Sequence, residues 1–244
     1  MTAKYKRIML KVTGESLLGK REFGIDFEAV LALAEKIKKI KETGVEIAIV
    51  IGGGNIYRGA SAAKFGIDRS TGDYMGMLAT VMNGMALEDA LNKIGVQTRL
   101  QSALSMPSVA ERFIRKRAIH HLEKGRVVIL AAGTGNPYVT TDTGASLHAL
   151  ELHCEVLMKA TKVDGVYDKD PTKNSDAKLY RTLNFEDALH DRLEVMDSAA
   201  MSMAMENDLI IHVFDLFSDD NLLKAVQGDD IGTIISNKVK TVLA

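Results

Sequence analysis

Apolar, β-prone runs alternate with amphipathic helical stretches along most of this chain, and that alternation leaves few folds open. Residues 7–12, 45–51, 96–100, 126–131, 155–160, 210–214 and 232–236 read as strands. Residues 26–43, 73–93, 108–123, 143–153, 185–193, 197–207 and 221–227 read as helices between them. In the first helix Asp26 is a candidate N-cap, Phe27, Val30, Leu31, Ala34, Ile37 and Ile40 form an apolar stripe, and Gly44 ends the pattern. Ser108 is a candidate cap for the helix at 108–123. Residues 163–177, rich in Asp, Lys, Gly and Asn, read as a loop. The order implies an α/β fold with a mainly parallel sheet and helices on both faces. With no internal repeat or low-complexity linker, a single domain over 1–244 is expected, with an N-terminal lobe to about residue 160 and a C-terminal lobe from about 161.

Three strands end in glycine-rich turns: K-V-T-G-E from Lys11, I-G-G-G-N-I-Y-R-G from Ile51, and A-A-G-T-G-N-P-Y-V-T-T-D from Ala131. Backbone N–H groups with no side chain in the way suit phosphate oxygens. Arg58, four residues after Gly54, places a cation on the second turn, and Lys11 at the end of the first strand aims another at the same edge. Three such edges suggest a crevice for several phosphates, which is what a kinase with two bound nucleotides needs. Asp73 and Asp142 lie at or near expected helix starts, where an N-cap and a site carboxylate are both compatible with the spacing.

Composition narrows the classes. A formal net charge of −1 argues against a dedicated nucleic-acid binder. No apolar run approaches a membrane span, and the N-terminal residues lack the apolar stretch of a signal peptide. The single cysteine, Cys154, allows no internal disulfide and fits a reducing compartment, so a cytoplasmic protein is expected. His120 with His121, and His148 with His153, have no metal-ligand spacing, so no protein metal site is expected. Arg112, Arg115, Lys116 and Arg117 read as a solvated or subunit-facing basic face. Met75, Met77, Met82 and Met85 read as core or interface packing.

Several motifs are decoys. G-E-S-L-L-G-K from Gly14 approaches a P-loop, but Arg21 stands where Ser or Thr would hold magnesium. G-G-G-N-I-Y from Gly52 and G-T-G-N-P-Y from Gly133 imitate a dinucleotide fingerprint, yet Tyr57 and Tyr138 occupy the third small-residue position. A nicotinamide-dependent oxidoreductase is thereby disfavoured.

Together the motifs resemble the bacterial UMP kinases (uridylate kinases) of the amino acid kinase family. The resemblance spans essentially the whole chain and rests on Y-K-R-I-M-L-K-V-T-G-E from Tyr5, V-I-G-G-G-N-I-Y-R-G from Val50 and D-Y-M-G-M-L-A-T-V-M-N from Asp73. It continues through A-G-T-G-N-P-Y-V-T-T-D from Ala132, K-A-T-K-V-D-G-V-Y-D-K-D-P from Lys159, and V-M-D at residues 195–197. It implies a three-layer αβα sandwich, phosphoryl transfer from ATP to UMP with Mg2+, and a homohexamer built from dimers. It further implies that Lys11, Val12, Thr13 and Gly14 hold ATP phosphates, and that Gly53 and Gly54, with Arg58 beside them, mark where donor and acceptor meet. Asp73 would bind the UMP ribose. The strip Thr134, Gly135, Asn136, Pro137, Tyr138, Val139, Thr140 and Thr141 would hold uracil and the acceptor phosphate. Asp142 would orient the catalytic lysines, and Thr161, Tyr167 and Asp170 would contact the adenosine side. Either Lys159 or Lys162 would supply a second cation. No general base stands out, and an acceptor phosphate that is already ionised needs none.

Three positions depart from the family pattern. Thr13 replaces a serine and keeps the hydroxyl. Glu88 and Asn92 stand where some members carry cations for a GTP effector, while Arg99 is retained, so weak or absent GTP activation is expected alongside inhibition by UTP. The alternatives are a relative acting on a small carboxylate or carbamate, and a nucleotide sensor that kept the fold without the chemistry.

Overall fold

The structure, a computed structural model, describes residues 2–58, 66–193, 195–218 and 220–244. Gly59, the last residue of the second glycine motif, lies outside them. Strand β1 (Arg7–Val12) sets the architecture, because its alternate side chains enter two separate cores. Ile8, Leu10 and Val12 join one apolar cluster and Met9 the other. Such two-sided burial is the mark of an inner parallel strand.

The remaining elements follow in chain order. They are α1 (Phe27–Lys41), β2 (Glu46–Ile51), α2 (Arg69–Lys93), β3 (Thr98–Ser102), β4 (Glu111–Arg112), α3 (Arg115–Glu123), β5 (Val127–Ala131), α4 (Thr141–Glu151) and β6 (Val156–Thr161). Then come β7 (Tyr180–Leu183), α5 (Phe185–His190), α6 (Ser198–Glu206), β8 (Ile210–Asp215), α7 (Asn221–Gln227), β9 (Thr233–Ile235) and β10 (Val242–Leu243). Among the described residues one sheet has the order β10-β7-β9-β8-β6-β1-β2-β5-β3-β4. From β8 to β4 every neighbouring pair is parallel, while β9 runs antiparallel to β8 and β10 to β7. Helices α1, α2 and α7 pack in the first cluster and α3 to α6 in the second, which makes three layers. No helix among the described residues is long and apolar enough to cross a membrane.

Local chemistry explains most boundaries. Asp26 accepts the N–H groups of Glu28 and Ala29 at 2.9 and 3.2 Å, capping α1 as its position predicts. The stripe is rotated from the expected one: Val30, Leu33, Ala34, Ile37 and Ile40 are buried, whereas Phe27 and Leu31 are exposed. Helix α2 begins four residues earlier than expected, capped by Asp68, whose carboxylate accepts from Thr71 N at 3.1 Å. Asp73 is therefore inside the helix and not its cap. The helix expected over 108–123 is two elements. Edge strand β4 pairs Glu111 and Arg112 with Gln101 and Ser102, and α3 starts after Ile114 without a side-chain cap. Pairing to β3 outcompetes helix extension there, a non-local choice that residue order does not reveal. Strands β7 and β10 escape the sequence reading for the same reason; they are short and gain order only by pairing at the sheet edge.

Candidate active site

Strand alternation brings the central cations together. Lys11 points to the face opposite Ile8, Leu10 and Val12, the face covered by α4. In β6, Val156, Met158 and Ala160 lie in the first cluster and Leu157 in the second, so Lys159 shares the face of Lys11. The register places Lys11 directly beside Lys159. Two adjacent ammonium groups in a half-closed site repel, and α4 supplies the counter-charge. Asp142 meets Lys11 Nζ at 2.6 Å through Oδ1 and Lys159 Nζ at 2.9 Å through Oδ2. Lys159 also donates to Val195 O at 2.5 Å.

Asp142 is in the first turn of α4, but it is not the cap. Thr140 is, its Oγ1 accepting from Asp142 N and Thr143 N at 3.1 and 3.2 Å. That leaves the Asp142 carboxylate for the lysines. Burial works to raise its pKa, and the charges and hydrogen bonds of Lys11 and Lys159 overcome this and hold it below the ordinary 3.8. Burial lowers the Lys159 pKa, helped by Lys11 and opposed by Asp142. Asp197, the cap of α6, accepts from Thr140 and, at 2.8 Å, from Thr143, so it locks α6 to the start of α4.

A cavity of about 160 Å³ opens on one side of this cluster. Gly53 and Gly54 after β2, Asp73 and Thr80 on α2, and Thr134, Asn136, Val139, Thr140 and Thr141 after β5 line it. Asp73 accepts Tyr138 N–H at 2.7 Å and pairs with Arg69 at 2.9 Å, tying α2 to the third glycine turn. Thr80 makes a second tie, accepting Ala132 N–H at 2.8 Å. Gly135, Pro137 and Tyr138 belong to the same strip without lining the cavity; the exposed Tyr138 ring lies over Arg69.

The glycines of the second turn differ in role. The Gly52 N–H is taken by Val12 O at 2.9 Å, so it is not among the bare donors the sequence suggests. A Cβ on Gly53 would lie 2.9 Å from Ala79 Cβ and from Gly76 O, which makes glycine a packing requirement against α2. A Cβ on Gly54 meets nothing within 4 Å. At the first turn a Cβ on Gly14 would press into Gly52 O at 2.6 Å. The buried Asn83 holds this junction, donating to Gly52 O at 2.7 Å and exchanging amide hydrogen bonds with Asn55.

On the other side a larger cavity of about 570 Å³ is lined by Lys159, Thr161, Tyr167, Asp170, Val195 and their neighbours. Tyr167 donates to Asp164 at 2.8 Å, and that bond, with burial, raises its pKa. Asp170 accepts from Thr172 and pairs with Lys173; the Thr172 bond leads in lowering its pKa to about 2. Val12 is buried, and Thr13 accepts from Glu15 N at the start of a short 3-10 turn, Gly14–Leu17. Arg58 is largely exposed and pairs with Glu15, as does Lys162 at 2.5 Å. The Lys162 hydrogen bond leads in lowering the Glu15 pKa. Of the two lysines left open by the sequence, Lys159 joins Lys11 and Asp142, and Lys162 joins Arg58 at Glu15. The expected strand includes Lys159 and ends before Lys162, but it is the register against β1 that sets Lys159 beside Lys11. Glu15 gave no signal of its own.

The amino acid kinase family profile matches residues 6–215. The chain is similar to the UMP kinase of Bacillus anthracis, with 36% identity and a TM-score of 0.95 over 98% of this chain and 99% of that one. It is also similar to the Ureaplasma parvum UMP kinase, at 36% identity and a TM-score of 0.90 over 96% and 99% of the two chains. The Archaeoglobus fulgidus uridylate kinase matches at 28% identity and a TM-score of 0.72 over 94% and 99%. With its parallel sheet, its lysine-flanked Asp142 and these full-length likenesses, the chain belongs to the amino acid kinase family.

Proposed function

We propose that this chain transfers the γ-phosphoryl group of ATP to UMP, giving ADP and UDP, a step in pyrimidine nucleotide biosynthesis. The observation that carries the reading is Asp142, which holds Lys11 and Lys159 at the strand ends between two cavities. Ligands of open parallel sheets gather at this carboxyl edge. The lobe up to about residue 160 would hold UMP and the phosphates, and the lobe from about 161 the ATP nucleoside.

Phosphoryl transfer needs position and positive charge more than covalent chemistry. Lys11 and Lys159 offset the repulsion between donor and acceptor phosphates, and Asp142 keeps both ammonium groups in place before the anions arrive. Lys11, Val12, Thr13, Gly14, Gly54 and Arg58 form the donor-phosphate edge, with Thr161, Tyr167 and Asp170 on the nucleoside. Gly53, Asp73 and the strip from Thr134 to Thr141 form the acceptor side. Among the described residues no group of three or more His, Cys, Asp or Glu could hold a metal. Mg2+ fits as a companion of the ATP phosphates, where it neutralises charge on the transferring group. A cytoplasmic homohexamer, inhibited by UTP and weakly answering GTP, completes the reading.

The test is an ADP-release assay over a panel of nucleoside monophosphates and small carboxylates. UMP should turn over at least a hundredfold faster than CMP, because polar groups that match uracil are left unpaired against cytosine. Equal turnover of UMP and CMP, or turnover of a carboxylate alone, would overturn the assignment.

A further inference from the structure

We propose that the Tyr57 hydroxyl donates a hydrogen bond to a ribose hydroxyl of the acceptor nucleotide, beside Asp73; this rests on reading the smaller cavity as the UMP site. Tyr57 lines that cavity together with Gly72, Asp73, Gly76 and Met77. Its hydroxyl oxygen is buried and has no hydrogen-bond partner among the described residues. Buried polar groups left unpaired are uncommon, and each calls for a reason.

Packing does not supply the reason. The ring lies along α2 at two glycines: a Cβ on Gly72 would sit 3.2 Å from the Tyr57 hydroxyl, and one on Gly76 would sit 3.9 Å from its Cδ1. A phenylalanine would fill the same groove. The oxygen adds only a hydroxyl, able to donate and to accept, held against Gly72 next to Asp73 on the helix.

The chemistry of the partner follows from Asp73. An ionised carboxylate only accepts hydrogen bonds, and a ribose hydroxyl both donates and accepts. A ribose hydroxyl that donates to Asp73 keeps lone pairs that need a donor, and Tyr57 carries an unused O–H. In the free chain Asp73 is occupied by Arg69 and Tyr138 N–H, so its own bonds are made while the tyrosine waits. The pair would read a sugar hydroxyl as Asp73 alone could not, since a site built to bond a hydroxyl leaves its polar groups unpaired when that hydroxyl is missing.

The experiment compares the unmodified protein with Tyr57→Phe on UMP, 2′-deoxy-UMP and 3′-deoxy-UMP, at varied acceptor and varied ATP, with melting temperatures alongside. Tyr57→Phe should raise the KM for UMP roughly three- to tenfold, the size of one neutral hydrogen bond, and leave the KM for ATP unchanged. With one of the two deoxy analogues the variant and the unmodified protein should give the same KM within a factor of about two, because the partner hydroxyl is gone. Gly72→Ala, which crowds the hydroxyl while keeping it, should show the same acceptor-selective rise. An unchanged KM for UMP, an equal rise with all three acceptors, or a parallel rise for ATP would overturn the proposal. An unmodified protein that fails to phosphorylate UMP would instead overturn the functional reading, and this inference with it.

Discussion

At the scale of single residues, Asp142 decides whether two half-buried cations can coexist. Lys11 and Lys159 are neighbours in register, and one carboxylate bridges them. Removing one partner from a partly buried charge cluster is destabilising, since the remaining charges lose their compensation. Asp142→Asn should therefore lower both thermal stability and kcat, and ATP should restore part of the stability because its phosphates replace the lost counter-charge. Lys11→Met should leave nucleotide affinity much less affected while lowering kcat by about a hundredfold or more. Steady-state kinetics and melting curves, with and without ATP, check both. A near-normal kcat in Lys11→Met would show that the transfer step uses a different cation. In acid, the contribution of Asp142 is complete above its ordinary pKa of 3.8 and is lost as pH falls through its depressed folded value.

Helix α2 illustrates what a single element adds. Its 25 residues carry Asp73 and Thr80 into the cavity on one side. On another they expose Tyr74, Met75, Leu78, Met82 and Met85, while Met77 is buried. An apolar stripe of that kind suits an interaction surface, and in the proposed homohexamer a neighbouring subunit would cover it. Leu78→Glu should weaken self-association at least tenfold, read by light scattering across a concentration series; an unchanged mass would place the subunit contact elsewhere. The far end of α2 bears on effector binding. The Glu88 carboxylate accepts Leu100 N–H at 2.9 Å and Asn92 accepts Thr98 N–H at 3.1 Å, so both fasten α2 to β3. Burial leads in raising the Glu88 pKa. Glu88→Arg would thus lose a backbone acceptor as well as a charge, an expected cost of about 1–3 kcal/mol. Glu88→Gln keeps the acceptor and is the cleaner probe. GTP should activate the unmodified protein weakly in initial rates at subsaturating ATP and UMP, and strong activation would place the effector contacts elsewhere.

Across the whole molecule, sheet order does what no single element does. Because β1 lies between β6 and β2, its lysine stands between a cavity at the end of β6 and one at the ends of β2 and β5. Lys159 lines the larger of the two cavities, and in the proposed reaction phosphates bound there would favour its protonated form. Burial lowers the Lys159 pKa in the free chain, so its protonated form is lost as pH rises toward a value below the ordinary 10.5. Since the unfolded chain holds that proton more tightly, Lys159 by itself makes the free protein more stable as pH rises through the same window. Anionic substrates favour the proton, so the alkaline limb of kcat/KM, which reports the free enzyme, should lie below the limb of kcat. Coincident limbs in the two pH profiles would count against a role for Lys159 at the phosphates.

The amino-acid sequence by itself determined the layer architecture, most strand positions and the three glycine turns, because these follow from periodicity and local turn chemistry. It also put forward Lys11, Asp73, Asp142 and the strip from Thr134 to Thr141 as candidate site residues, through long motifs in order. Only the tertiary structure chose Lys159 over Lys162 as the partner of Asp142, because that choice depends on which strand lies beside β1 and in what register. It alone turned the helix expected at 108–123 into an edge strand and a shorter helix, and made β7 and β10 strands. It alone left a tyrosine hydroxyl buried without a partner among the described residues. Contacts between residues far apart in the chain carry each of these outcomes, and local sequence contains the side chains but not their neighbours.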